Sequence, residues 1–280
     1  MIKNKLLAIL FLIFLNMNGQ QSINKNKIIE NSIYLEFKTN NKIEFGSGFL
    51  VRDNTAVGDF VYLVTAKHVL GTNDSNGVFN LKDNILNISY FGKVTEEKMN
   101  TVSINVGQML NDNLIRFLDD NDVAVLIIGK IVDGKINYVT AADFKEINVY
   151  EGNSWTTIDS KRLASIEETI LGLDTYIFGY PKTLGIQKSP QFDYNKPLLR
   201  KGIVAGIYKV KRTIILDCPA YGGNSGGPVY SYDSEGNFQL VGVVSQYIPY
   251  ISNNVLNNSS YSVAVSAEVI DEILNTFRPK

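Results

Sequence analysis

The sequence predicts an all-β protein of two packed barrels, closed by a single C-terminal helix. Three observations carry the prediction. Short apolar runs rich in Val, Ile, Tyr and Phe are separated by Asn, Asp and Gly at the intervals of antiparallel sheet. About a dozen such runs in about 260 residues are too many for one small barrel and suit two. Helical periodicity is confined to the last stretch of the chain.

Before the first strand, Lys3 and Lys5 precede ten apolar residues at 6–15 and a polar stretch at 16–21. This is the layout of a secretory signal peptide. Ten helical residues rise about 15 Å, half the hydrocarbon thickness of a bilayer, so removal is expected and a stable membrane anchor is not. Gly19 is the best final residue of a 1–19 leader, although Met17 is larger than the small residue usual two positions earlier. Loss of two lysines leaves 25 basic and 28 acidic residues, a charge of −3. With no lipid-bearing cysteine after the leader, the expected product is free, and secreted or periplasmic.

The runs 28–38 and 42–52 flank Asn40-Asn41 as a hairpin, followed by strands at 60–66, 85–91, 101–106 and 123–128 and by others after Gly152. The second group lies at 175–179, 202–208, 213–216, 227–231, 239–247 and 261–265. The polar stretch 161–168 falls between the groups and divides the chain into barrels 20–164 and 165–280. The Asn/Ser-rich segment 252–260 reads as an exposed loop. Ser266 is placed to cap a helix over 267–277, where Val269, Ile270, Ile273, Leu274 and Phe277 share one face and Pro279 stops continuation. Nothing after Phe277 is long enough for an appended binding domain.

Charge and cysteine content narrow the chemistry. With 27 Lys+Arg against 28 Asp+Glu and no basic run, nucleic acid is not an expected partner. One cysteine, Cys218, and one histidine, His68, allow no internal disulfide and no His/Cys metal cluster. No cofactor or metal is expected. Cys218 reads as a small buried core residue.

Gly223-Asn224-Ser225-Gly226-Gly227-Pro228 sets a serine among glycines that permit tight turns, so that successive N–H groups can converge on one point. Such a turn suits an oxyanion beside a nucleophile. Gly-x-Ser-x-Gly alone also fits the nucleophile elbow of α/β-hydrolases. Chain order separates the two, because in the elbow the histidine follows the serine, whereas His68 precedes it here and no histidine follows.

Together, Gly46-Ser47-Gly48-Phe49, Thr65-Ala66-Lys67-His68-Val69, Asp122-Val123-Ala124-Val125 and the Ser225 motif resemble the chymotrypsin/trypsin-like serine proteases. Bacterial HtrA-type and other trypsin-like peptidase domains are nearest in style. The resemblance runs from about residue 28 to residue 268. It implies two six-stranded barrels with the site between them, a serine endopeptidase acting on peptide or protein substrates, and an acyl-enzyme route. It implies Ser225 as nucleophile, His68 as general base and acid, and Asp122 as the carboxylate that orients His68. The oxyanion hole falls on Gly223, Asn224 and Ser225, with the amides of Gly223 and Ser225 matching the family's donors. Asp119 and Asp120 are rivals to Asp122, which is preferred because it directly precedes the apolar run 123–128.

For specificity the resemblance points to Pro219, six residues before Ser225, as the pocket floor, with Ser245 at the end of a substrate-pairing strand and Tyr247 narrowing the entrance. An uncharged floor disfavours Lys or Arg, and the only histidine is already assigned, which disfavours Glu. Cleavage after small or medium uncharged residues is expected. Digestive members carry Asp where this chain has Asn224, so no activating cleavage beyond leader removal is expected. The rival reading is a catalytically silent binding module on the same fold. An esterase acting on small acyl substrates would use the same machinery.

Overall fold

The computed structural model describes residues 30–39, 42–91, 99–133, 135–138, 157–182, 191, 193–252 and 254–278. The 1–19 leader, the Asn40-Asn41 turn and the positions just after Gly152 lie outside the described residues. The first half contains β1 (Ser32–Thr39), β2 (Lys42–Thr55), β3 (Gly58–Thr65), β4 (Gly71–Asn73), β5 (Phe79–Leu81), β6 (Ile85–Tyr90), β7 (Asn100–Asn105), β8 (Ile115–Phe117), β9 (Ala124–Val132), β10 (Lys135–Tyr138) and β11 (Ile158–Asp159). The second contains β12 (Asp174–Gly179), β13 (Leu198–Tyr208), β14 (Thr213–Asp217), β15 (Pro228–Tyr232), β16 (Phe238–Ser252) and β17 (Val255–Ser266).

In the first half the ladder runs β10-β9-β3-β2-β1-β6-β7, with β8 beside β9 and β11 parallel to β2, a nine-stranded half-barrel. The second group closes on itself as β12-β13-β14-β17-β16-β15, the six-stranded barrel expected there. The all-β class with a closing helix therefore holds.

Strands β2, β3 and β9 explain how the halves join. Leu50, Val61, Leu63, Leu126 and Ile128 point into the core of the half-barrel. Their neighbours Phe49, Val51, Tyr62, Val64, Val125 and Ile127 point the other way, into a second core shared with Phe178, Tyr230, Leu240 and Val243 of the closed barrel. Both faces are dry, so these strands are continuously apolar where a half-solvated strand would alternate. Each buried Val, Leu or Ile contributes about 1.5–3 kcal/mol.

The C-terminal helix, Glu268–Phe277, completes the shared core with Val269, Ile270, Ile273 and Leu274. Arg278, just beyond it, grips Asp53 of β2 with two donors at 2.9 Å, and Ser160 donates to the same carboxylate at 2.6 Å. Asp53 is buried. Burial by itself pushes its carboxyl up, but the bonds from Arg278 and Ser160 outweigh that and hold it below the usual carboxylate range.

Three expectations are corrected. Ser266 does not cap the helix: it is the last residue of β17, its amide donates to the Arg212 carbonyl at 2.8 Å, and Ala267 stands at the cap position. Segment 252–260 is not a loop. β16 and β17 continue past the barrel as a ribbon in which Pro249 faces Asn258 and Ser252 faces Val255, because a ladder can satisfy the backbone of a polar strand as well as of an apolar one. Val106 leaves its strand to start a short helix, Val106–Asn111, capped by Asn105, which accepts from the Gln108 amide at 2.9 Å.

Candidate active site

An open cavity of about 720 Å³ lies between the halves, and His68, Asp122, Ser225, Ser245 and Tyr247 are among its lining residues. His68 arrives on a four-residue helix, Lys67–Leu70, immediately after β3. Val69 and Leu70 are buried, and Lys67 lays its ammonium over the Phe117 ring at 4.2 Å, which fixes the turn and leaves the His68 ring 44% exposed.

Asp122 ends the bend before β9. One carboxylate oxygen lies 2.7 Å from His68 Nδ1, and the other accepts the His68 backbone N–H at 2.9 Å. Ser245 Oγ donates to the first oxygen at 2.5 Å. Burial pushes the Asp122 carboxyl up, but the His68 ring, the attraction of its charged form and the Ser245 hydroxyl outweigh burial and hold it below the usual range. An ionised carboxylate only accepts, so Nδ1 carries the proton and Nε2 of the neutral ring is left as a base. Of the rivals, Asp120 turns to Arg212 at 3.3 Å.

The Ser225 turn is built on glycines that no other residue could replace at two points. Gly223 has φ +97° and Gly226 φ +83°. A Cβ at Gly223 would stand 2.1 Å from the Tyr180 carbonyl, and one at Gly226 would stand 2.2 Å from both Ser47 O and Thr65 Oγ1. Asn224 is buried within its own turn: its side chain accepts from the Tyr221 amide at 3.0 Å and its N–H donates to the Tyr221 carbonyl at 2.9 Å. The Asn224 amide is thereby occupied. The N–H groups of Gly223 and Ser225 meet no acceptor among the described residues. Ser225 Oγ donates to the Ser245 carbonyl at 3.2 Å.

Pro219 is half-buried, and its carbonyl accepts from Arg200 at 2.9 Å. Ala220, Tyr221, Gly222, Val244, Ser245 and Tyr247 line the cavity, and Pro219 is not among its lining residues. Cys218 is buried in the closed barrel, and burial pushes its thiol up to about 11. Among the described residues no three His, Cys, Asp or Glu side chains gather as a metal site would require. No helix among them is long and apolar enough to cross a membrane.

Two contributors were not assigned these parts from sequence. Ser245 was expected against substrate, yet its hydroxyl is spent on Asp122. Ser47 lay in a quoted motif without a role, and the structure places it, fully buried, against the Ser225 turn.

No curated protein matches the sequence. Among solved structures, the serine endoprotease from Yersinia pestis is 14% identical, with a TM-score of 0.48 over 89% of this chain and 62% of that one. This chain thus spans less than two thirds of that protein. The thermostable serine protease AL20 from an extremophilic microorganism is 15% identical, with a TM-score of 0.52 over 90% and 98% of the two chains. The protease Anisep from Arthrobacter nicotinovorans is 18% identical, with a TM-score of 0.50 over 88% and 94%. At these identities the likeness to AL20 and Anisep speaks for the fold alone. The model of the trypsin-like peptidase domain matches residues 46–243, most of the chain and the stretch that includes His68, Asp122 and Ser225, so the chain belongs to the trypsin-like peptidase family.

Proposed function

We propose that the chain is a secreted or periplasmic serine endopeptidase that cleaves peptide bonds through an acyl-enzyme, with Ser225, His68 and Asp122 as its triad. The observation that carries the reading is the His68–Asp122 pair at 2.7 Å in the same cavity as Ser225, whose turn leaves two amides without acceptors among the described residues. The leader pattern at 1–19 supports export, and the division into barrels 20–164 and 165–280 belongs to the same proposal.

A serine hydroxyl is hardly ionised at neutral pH, so it needs a base to attack an amide. The Ser225 hydroxyl rests on the Ser245 carbonyl at 3.2 Å, and the proposed mechanism requires it to turn from there to His68 Nε2. Such bonds commonly tighten only once substrate is bound. Oγ then adds to the carbonyl carbon while its proton passes to Nε2, and Asp122 stabilises the imidazolium. Negative charge on the former carbonyl oxygen is met by the Gly223 and Ser225 N–H groups. The C–N bond breaks, the leaving amine takes the proton from His68, and water repeats the sequence on the ester. Losing one oxyanion donor costs such enzymes about 100- to 1,000-fold in rate.

Asn224 closes its turn with its own side chain, so this reading needs no new N-terminus to order the site. The test is a serine-directed fluorophosphonate applied to residues 20–280 made without any protease. Labelling of the native chain and none of Ser225→Ala is expected, with loss of peptide hydrolysis and an unchanged thermal midpoint. Labelling only after further trimming would remove the claim about activation. No labelling at all would favour the silent binding module. Turnover of small esters without any peptide cleavage would favour an esterase.

A further inference from the structure

The two amides assigned to the oxyanion are aimed by peptide planes, and each plane can be followed to what holds it. In a trans peptide the C=O and N–H point in opposite directions, so pinning a carbonyl aims the amide that shares its plane. The Gly223 N–H shares a plane with the Gly222 carbonyl, which accepts from the Lys182 amide at 3.1 Å. The Ser225 N–H shares one with the Asn224 carbonyl, which accepts from the Gly227 amide at 2.9 Å. Between them lies the Gly223–Asn224 plane, whose carbonyl accepts from Ser47 Oγ at 2.6 Å. The carbonyl of Ser225 accepts from the Ser47 N–H at 2.8 Å.

Ser47 belongs to β2, in the other half of the molecule, and is fully buried. Its oxygen also accepts from the Tyr180 amide at 3.1 Å, and its carbonyl accepts from Thr65 Oγ1 at 2.8 Å, three residues before His68. One residue thus ties three segments: its hydroxyl joins the nucleophile turn to the Tyr180 segment, and its backbone carbonyl joins them to the strand that delivers the histidine. Adjacent glycines at 222 and 223 leave the planes around Gly223 little steric resistance to rotation. The Ser47 hydroxyl holds the Gly223 carbonyl, whose plane carries the Asn224 N–H and joins the two oxyanion planes.

We propose that Ser47 is a positioning residue that holds the Gly223 and Ser225 amides in register with the substrate carbonyl; the inference rests on the peptidase reading above. Ser47→Ala removes the hydroxyl and keeps the backbone N–H. Ser231→Ala is the matched control, because Ser231 is equally buried and donates to a backbone carbonyl, that of Asp174, at 2.7 Å, without lining the cavity.

For Ser47→Ala the expected result is a kcat loss of about 10- to 100-fold with KM within about threefold, less than the loss of a whole donor. Affinity for a peptide aldehyde, whose adduct is tetrahedral, should fall in parallel. Ser231→Ala should keep kcat and aldehyde affinity, even where its thermal midpoint falls as far. In a ¹⁵N–¹H spectrum of the unliganded protein, the Gly223 and Ser225 signals should broaden or double in Ser47→Ala alone. An unchanged kcat in Ser47→Ala, or equal kcat losses in both variants, overturns the proposal. Sharp, single amide signals for Gly223 and Ser225 in Ser47→Ala overturn it even if the native chain proves inactive. Broadened signals in an inactive native background would instead preserve the positioning role and sink the peptidase reading.

Discussion

His68 is the sole histidine, and its Nδ1 faces an Asp122 carboxylate held below the usual range. Asp122 is therefore ionised at neutral pH. Under the proposed mechanism the base must be neutral to take the serine proton, so kcat/KM for peptide hydrolysis is expected to fall on acidification, and a flat profile from about pH 5 to 8 would refute the assignment. These residues were legible because chemistry restricts them to few types and the chain offers few copies. Asp122 could be set apart from Asp119 and Asp120 by its place beside an apolar strand, and Asp120 proves to serve Arg212. Ser245 and Ser47 were not legible in these parts. A serine that donates to a carboxylate and one that pins a carbonyl look alike in sequence, and only the fold says which acceptor stands opposite.

Elements whose pattern reflects burial were read nearly to the residue, as in β12 and β14, where apolar positions face a closed barrel. Elements stabilised by the ladder itself were missed. The β16–β17 ribbon carries Asn and Ser because its outer part is solvated, while its backbone pairing continues past the barrel beside the cavity. Its Asn258 donates to the Ala220 carbonyl at 2.6 Å, so the ribbon also steadies the wall next to Ser225. That part of the lining is uncharged: Ala220, Tyr221, Gly222, Val244 and Tyr247 belong to it. A Lys, Arg or Glu side chain packed on these residues would lose hydration with no charge among them to replace it, although Asp120, Asp122 and Lys211 line other parts of the same cavity. Profiling a peptide library with the mature protein should yield cleavage after small or medium uncharged residues, and dominant cleavage after Arg, Lys or Glu would contradict the pocket assignment.

On the scale of the whole molecule, the two halves share one core, and the Arg278–Asp53 pair fastens the helix end to β2. The shift of Asp53 fixes the sign of its pH dependence. A carboxyl held below its unfolded value adds stability that is present above the unfolded carboxylate range and is lost as pH falls through the folded value. Arg278→Ala leaves Asp53 buried with only Ser160 as a donor, so the variant should lose about 3 kcal/mol at neutral pH and unfold at a less acidic pH. Urea titrations at about pH 7 and about pH 4 decide this, and identical curves for both proteins would show that the pair is idle. Sequence could predict the helix and its apolar face but not this fastening, since nothing local links position 278 to position 53. The shared core has a further consequence for the order of events during synthesis. Residues that face the helix are made long before it, so a chain still on the ribosome has an open core. Phe178, Tyr230 and Leu240 therefore lack their cover until residues 268–277 have been made.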